Sequence, residues 1–185
     1  MRRIIDDMEE NGHTAHAWYY LGGAYRYIGD YGKAVQYYET VLERWPGYVY
    51  AWSAQYLIGA HTERMMKKGE ISVAEGEAKI EAAWQTMVDD YQGRPLYGHA
   101  LCDLGRFYLE RGQGEKAIGY FATFCEEYPE DRRRAKVMYD LGGAYESIGE
   151  TALAVDVYED FVQDYPDDEL AAEVESRLAE LRGAN

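Results

Sequence analysis

Apolar residues recur along this chain at spacings of three and four. Trp18, Leu21, Tyr25 and Ile28 share one helical face, and Val35, Tyr38, Val41 and Leu42 share another. Gly29 separates the two runs and Pro46 ends the second, so the pattern predicts two antiparallel helices joined by a tight turn. The pattern returns as Leu104-Gly105 with Tyr108, Ala117, Phe121 and Pro129. It returns again as Leu141-Gly142 with Tyr145, Ala154, Tyr158 and Pro166. Trp45, Tyr128 and Tyr165 each stand 23 residues after Gly22, Gly105 and Gly142, and from Trp45 and Tyr128 the next glycine of this kind, Gly59 and Gly142, comes 14 residues later. The period is therefore 37 residues, which makes Ile58-Gly59 a degenerate fourth Leu-Gly pair.

This count predicts four helix pairs, at about 14–48, 49–97, 98–131 and 132–168. The second is nine residues longer, because Gly59 to Tyr91 spans 32 residues rather than 23. Gly69 and a capping pattern at Ser72-Val73-Ala74-Glu75 place the extra length in the helices themselves. The expected result is a projecting hairpin, with the first helix longer by one turn and the second by a turn and a half. Residues 169–185, polar at Glu173, Glu175, Glu180 and Arg182, predict a capping helix. At the front, Ile4-Ile5 falls where the end of a second helix belongs. Residues 1–13 thus predict the remnant of the second helix of a pair whose first helix is missing, and the chain is expected to be a segment of a longer array.

Composition narrows the function classes. Nineteen tyrosines follow largely from the repeat, and only four prolines suit an all-α chain. A net charge of −15 disfavours nucleic-acid backbones, whose recognition needs clustered Lys and Arg, and anionic membrane surfaces as well. No apolar run approaches the roughly 18 residues of a membrane-spanning helix, and Met1-Arg2-Arg3-Ile4-Ile5-Asp6-Asp7 lacks the apolar core of a secretory signal. Cys102 and Cys125 form neither a disulfide framework nor a zinc motif and are expected as core or groove thiols. His13 and His16 lie three apart with no third ligand, so no metal site is expected. The run Arg132-Arg133-Arg134 is preceded by Glu127, Glu130 and Asp131 and is read as a solvated turn. No phosphate loop and no nucleophilic triad is legible, so the chain is read as non-catalytic and free of cofactors.

Trp18, Leu21, Gly22, Tyr25, Ala34, Tyr38 and Pro46 carry the spacing W-x2-L-G-x2-Y…A-x3-[FY]…P. In this the chain resembles the tetratricopeptide repeat family over roughly residues 14 to 182. The period and the Tyr128-Pro129 and Tyr165-Pro166 endings are similar to a bacterial subgroup that includes periplasmic Tol–Pal-associated and outer-membrane-assembly proteins. The resemblance implies an all-α, right-handed superhelical solenoid of antiparallel helix pairs, whose first helices line a concave groove that binds a peptide or partner protein. Equivalent positions on those helices are His16, Tyr19, Gly23 and Arg26; Ser53, Tyr56, Ala60 and Glu63; His99, Cys102, Arg106 and Leu109; Lys136, Tyr139, Gly143 and Glu146. The expected binding residues are His16, Tyr19, Arg26, Tyr56, His99, Arg106, Lys136 and Tyr139, with a stripe formed by Tyr19, Tyr56 and Tyr139. The Lys/Asn clamp with which some members grip a carboxylate terminus is absent, since Tyr19 and Gly23 occupy its first-unit positions. Two alternatives stay open: a self-assembling structural segment, and a docking region attached to an enzyme domain elsewhere. The compartment, periplasmic or cytoplasmic, and the oligomeric state are open too.

Overall fold

The computed structural model describes residues 12–183, which form nine α-helices and no strand. In chain order they are α1 (Gly12–Tyr27), α2 (Tyr31–Arg44), α3 (Ala51–Lys67), α4 (Val73–Asp90), α5 (Tyr97–Leu109), α6 (Gly114–Glu127), α7 (Arg134–Ser147), α8 (Thr151–Asp164) and α9 (Ala171–Gly183). The expected helix remnant before residue 12 lies outside the described residues. The chain divides into two compact units, residues 1–100 and 101–185.

Local chemistry sets the turns. After each of α1, α3, α5 and α7 a glycine takes a left-handed conformation: Gly29 (φ 81°), Gly69 (70°), Gly112 (69°) and Gly149 (80°). The following N–H reaches back five residues, as from Asp30 to the Tyr25 carbonyl (3.0 Å) and from Glu150 to the Tyr145 carbonyl (3.0 Å). That bond satisfies a carbonyl the helix end leaves open, and a side chain at the glycine would strain it.

The long second pair is helical on both sides of its turn. Helix α3 has 17 residues where α7 has 14, and α4 has 18 where α2, α6 and α8 have 14. The second helix thus gains about one turn, not the turn and a half expected, because part of the insertion goes into the connection between Lys67 and Val73. Ser72 Oγ accepts the Glu75 N–H at 3.2 Å and starts α4. Replacing Ser72 by alanine removes this cap, and the expected loss is about 1 kcal/mol. Urea titration of the two chains measures it, and coincident curves would contradict the role of the cap.

The first unit buries Ala34, Val35, Tyr38, Ala54, Ile58 and Ala83 around one core. The second is built on Ala135, Met138, Ala154, Tyr158, Phe161, Ala171, Val174 and Leu178. Within each helix pair a glycine on the first helix faces an aromatic ring on the second. A Cβ on Gly22 would stand 2.7 Å from Tyr38, on Gly59 2.4 Å from Trp84, on Gly105 2.3 Å from Phe121 and on Gly142 2.2 Å from Tyr158. The Leu-Gly pair of the repeat is therefore a seat for a ring, and the fully buried Ala34, Ala117 and Ala154 fill the tight spaces one turn before those rings.

A candidate binding platform of aromatic rings

The first-helix residues expected to bind a partner divide between the two units. His16, Tyr19, Arg26, Tyr56 and His99 belong to the first; Arg106, Lys136 and Tyr139 belong to the second.

In the first unit, His16, Tyr19 and Tyr20 on α1 meet Tyr48 and Tyr50 of the connection between α2 and α3. Ring centroids lie 4.7 Å apart for His16–Tyr20, 6.0 Å for His16–Tyr48 and for His16–Tyr50, and 5.7 Å for the stacked Tyr19–Tyr50 pair. Tyr48 and Tyr50 contact each other edge-on at 5.7 Å, and Trp52 extends the group from Tyr50 at 6.3 Å. Polar contacts lock the group. Tyr48 Oη and His16 Nδ1 share a hydrogen bond of 2.7 Å, as do Tyr19 Oη and Ser53 Oγ. Burial, with the neighbouring phenols Tyr19, Tyr20 and Tyr50, pushes the Tyr48 hydroxyl up to about 12, so it keeps its proton at any working pH.

The platform is nonetheless open to solvent. His16 is exposed, as are 57% of Tyr20 and 64% of Val49. Elsewhere in the chain the tyrosine faces carry cations: Lys68 over Tyr31 and Lys116 over Tyr108, both at 4.5 Å, and Lys33 over Tyr25 at 5.0 Å. Among the described residues no lysine or arginine covers a ring of the platform. Tyr19 and Tyr50 cover each other by stacking, and the exposed His16 and Tyr20 rings are the part of the group that solvent reaches.

The other expected positions are more occupied. Tyr56 stacks on Trp84 at 6.3 Å and meets the edge of His99 at 6.1 Å. In the second unit Tyr139 Oη donates to Glu173 Oε1 at 2.5 Å, and Lys136 lies over its ring at 4.5 Å while pairing with Asp140 at 2.6 Å. The bond to Glu173, with burial second, raises the Tyr139 pKa. Arg106 is exposed and pairs with Asp103; Arg26 is exposed. Tyr19 and Tyr139 use their hydroxyls in the same way, each reaching a residue 34 positions on, from α1 to α3 and from α7 to α9. Both hydroxyls are thus engaged within the chain, each linking two helices. Ser53 and Cys102, expected to line the groove, are buried at 7% and 6% exposure. Both cysteines are free thiols, and burial pushes Cys102 up to about 12, which makes it unreactive.

Sequence reasoning missed Tyr20, Tyr48 and Tyr50. Their signal was the alternation Tyr48-Val49-Tyr50-Ala51-Trp52 directly after Pro46-Gly47, but no spacing rule connects that run to His16. Among the described residues no group of three or more His, Cys, Asp or Glu side chains is placed to hold a metal ion, and no helix is long and apolar enough to cross a membrane.

Family models described as tetratricopeptide repeat match residues 15–48, 99–131 and 136–168. Among solved structures, a tetratricopeptide repeat protein from Parabacteroides merdae superposes with a TM-score of 0.73 at 16% identity, over 92% of this chain and 60% of that one. Kinesin light chain TPR-like repeats from Podosopora anserina give 0.63 at 18% identity, covering 96% and 89%. Pseudomonas aeruginosa PilF gives 0.60 at 16% identity, covering 90% and 67%. No curated protein matches the chain.

Proposed function

This chain belongs to the tetratricopeptide repeat family, and from that membership we propose that it is a non-catalytic interaction module that holds a peptide or partner protein on its first helices. Proteins built on these repeats generally mediate protein–protein contact, and the platform of His16, Tyr19, Tyr20, Tyr48 and Tyr50 is where this chain is best equipped for it. The observation that carries the proposal is the combination of locked and open: the polar tips are tied to Ser53 and to each other, while the ring faces are not covered by the cations that cover other tyrosines. A rigid set of rings offers contact area at little entropic cost, the property that makes tyrosine frequent at binding hot spots. The exposed Tyr20, Ala24 and Tyr27, at spacings of four and three on α1, extend this apolar surface. Arg26 supplies a charge beside it, and the Arg106, Lys136 and Tyr139 positions supply a second contact in the other unit.

The test is a peptide library selected against the full chain. Selected peptides are expected to bind a Tyr20→Ala/Tyr50→Ala chain at least about tenfold more weakly, with its helical circular dichroism unchanged. Equal affinity for both chains would remove the platform from the binding surface.

A further inference from the structure

Between α8 and α9 lies an open furrow of about 420 Å³. Val162, Leu178 and Ala179 are its apolar lining; Glu159, Gln163 and Glu175 line it too, with Arg182, which pairs with Glu159. Within the same unit α8 shows what such a place accommodates, since it packs on α7 with Tyr158 seated on Gly142. Among the described residues no helix lies on α8 and α9 in that way. We propose that this furrow is a docking surface for a basic amphipathic helix of a partner protein.

Charge selects the occupant. Residues 151–183 contain ten carboxylates and two arginines, much of the chain's net charge of −15. Both arginines are engaged: Arg177 binds Glu146 at 3.0 Å, and Arg182 binds Glu159. Asp156, one turn before Glu159 on α8, is exposed, and so is Asp160 beside it; Glu175 is exposed on α9. Lysine or arginine flanking the apolar face of an incoming helix meets these carboxylates, whereas a second copy of this acidic chain meets repulsion. The apolar lining selects the face of that helix. Where α7 offers Gly142 to a tyrosine ring, the equivalent residue of α9 is Ala179, 37 residues on. A Cβ at Gly142 stands 2.2 Å from the Tyr158 ring, so a methyl at this place excludes an aromatic in the same seat. Leucine, isoleucine or valine at helical spacing fits instead.

The experiment uses the full chain and three labelled helical peptides: one with leucines on one face and lysines elsewhere, one with serine in place of leucine, and one with glutamate in place of lysine. Fluorescence anisotropy is expected to show the leucine–lysine peptide binding at least about tenfold more tightly than either control. Ala179→Trp fills the furrow from an exposed position outside the core, and is expected to weaken that binding by about tenfold or more. Tyr20→Ala/Tyr50→Ala is expected to leave it unchanged, which separates this surface from the aromatic platform. Equal binding of the serine–lysine peptide would reduce the furrow to a charge sink and overturn the proposal, as would unaltered binding by the Ala179→Trp chain. Self-association of the chain alone, abolished by Ala179→Trp, would assign the furrow to a second copy and overturn it equally.

Discussion

Replacing Gly142 by alanine is expected to lower stability by about 2–3 kcal/mol, although alanine is the better helix former. The new Cβ would stand 2.2 Å from Tyr158 Cε1. The ring has nowhere to go: Tyr158 is fully buried, and its hydroxyl donates to Glu146 Oε1 at 2.6 Å. The same oxygen accepts from Arg177 Nη1 at 3.0 Å, so one hydrogen-bonded junction joins α7, α8 and α9. Either the ring shifts and breaks this junction, or α7 and α8 separate. Gly143 is the internal control. A Cβ there meets only the Tyr158 hydroxyl, at 3.9 Å, so Gly143→Ala is expected to stabilise by up to about 1 kcal/mol through helix propensity. Urea titrations of the two variants should therefore move in opposite directions. A Tyr158→Leu change added to Gly142→Ala should recover part of the loss, seen as a favourable coupling in the double-mutant cycle. Two neighbouring glycines with the same response would show that backbone freedom, and not ring packing, places them there.

The second large effect is an acid-sensitive step centred on His61. Its side chain is only 3% exposed, and neither ring nitrogen has a hydrogen-bond partner. The Tyr31 and Tyr38 rings of α2 face it at 5.4 and 6.0 Å; Arg26 of α1 and Arg64 of its own helix are the nearby charges. Burial first, then these two cations, lowers its pKa from 6.5 to about 4. The unfolded chain therefore binds more protons than the folded one between pH 6.5 and 4. Stability is full above this window and falls as the pH drops through it, by up to about 3 kcal/mol once the pH is below 4. Asp30 acts in a different window: its hydrogen bonds from Lys33 lower its pKa below 3.8, so its contribution is lost only at more acid pH. Thermal melts between pH 7 and 4 should show the descent in the native chain. His61→Leu removes the titrating group and two unpartnered buried nitrogens, and should flatten the descent and raise the melting temperature at pH 5. A His61→Leu chain that melts with the same pH dependence would place the sensitivity elsewhere.

Gly142 and Tyr158 could be paired by counting, because the repeat sets a glycine and an aromatic 16 residues apart in each compact pair. The left-handed Gly29, Gly69, Gly112 and Gly149 and the Ser72 cap were legible for a similar reason: each acts within a few residues of itself, where backbone sterics and hydrogen bonding decide. Gly93, also left-handed (φ 75°), was not. It serves the turn after α4, where Gln92 stands at the repeat's proline position and the pattern gives no instruction. His61 was invisible too. It occupies a helical position between Ala60 and Thr62 with no motif around it, and its weight comes from the rings and cations that three helices bring to it.

Periodicity alone determined the class of fold, the helix pairs and the seats of the large rings, because each depends on residues held at fixed spacing along one helix or across one tight turn. Tertiary structure decided what each tyrosine of the repeat touches and how much of it stays exposed. Tyr19, Tyr56 and Tyr139 look alike in the repeat. Their neighbours differ: Ser53 and the Tyr48–Tyr50 rings for the first, Trp84 and His99 for the second, Glu173 and Lys136 for the third. Those neighbours come from other helices and connections, and a ring face is available only where packing leaves it uncovered. That is a property of the assembled surface, which no local spacing encodes.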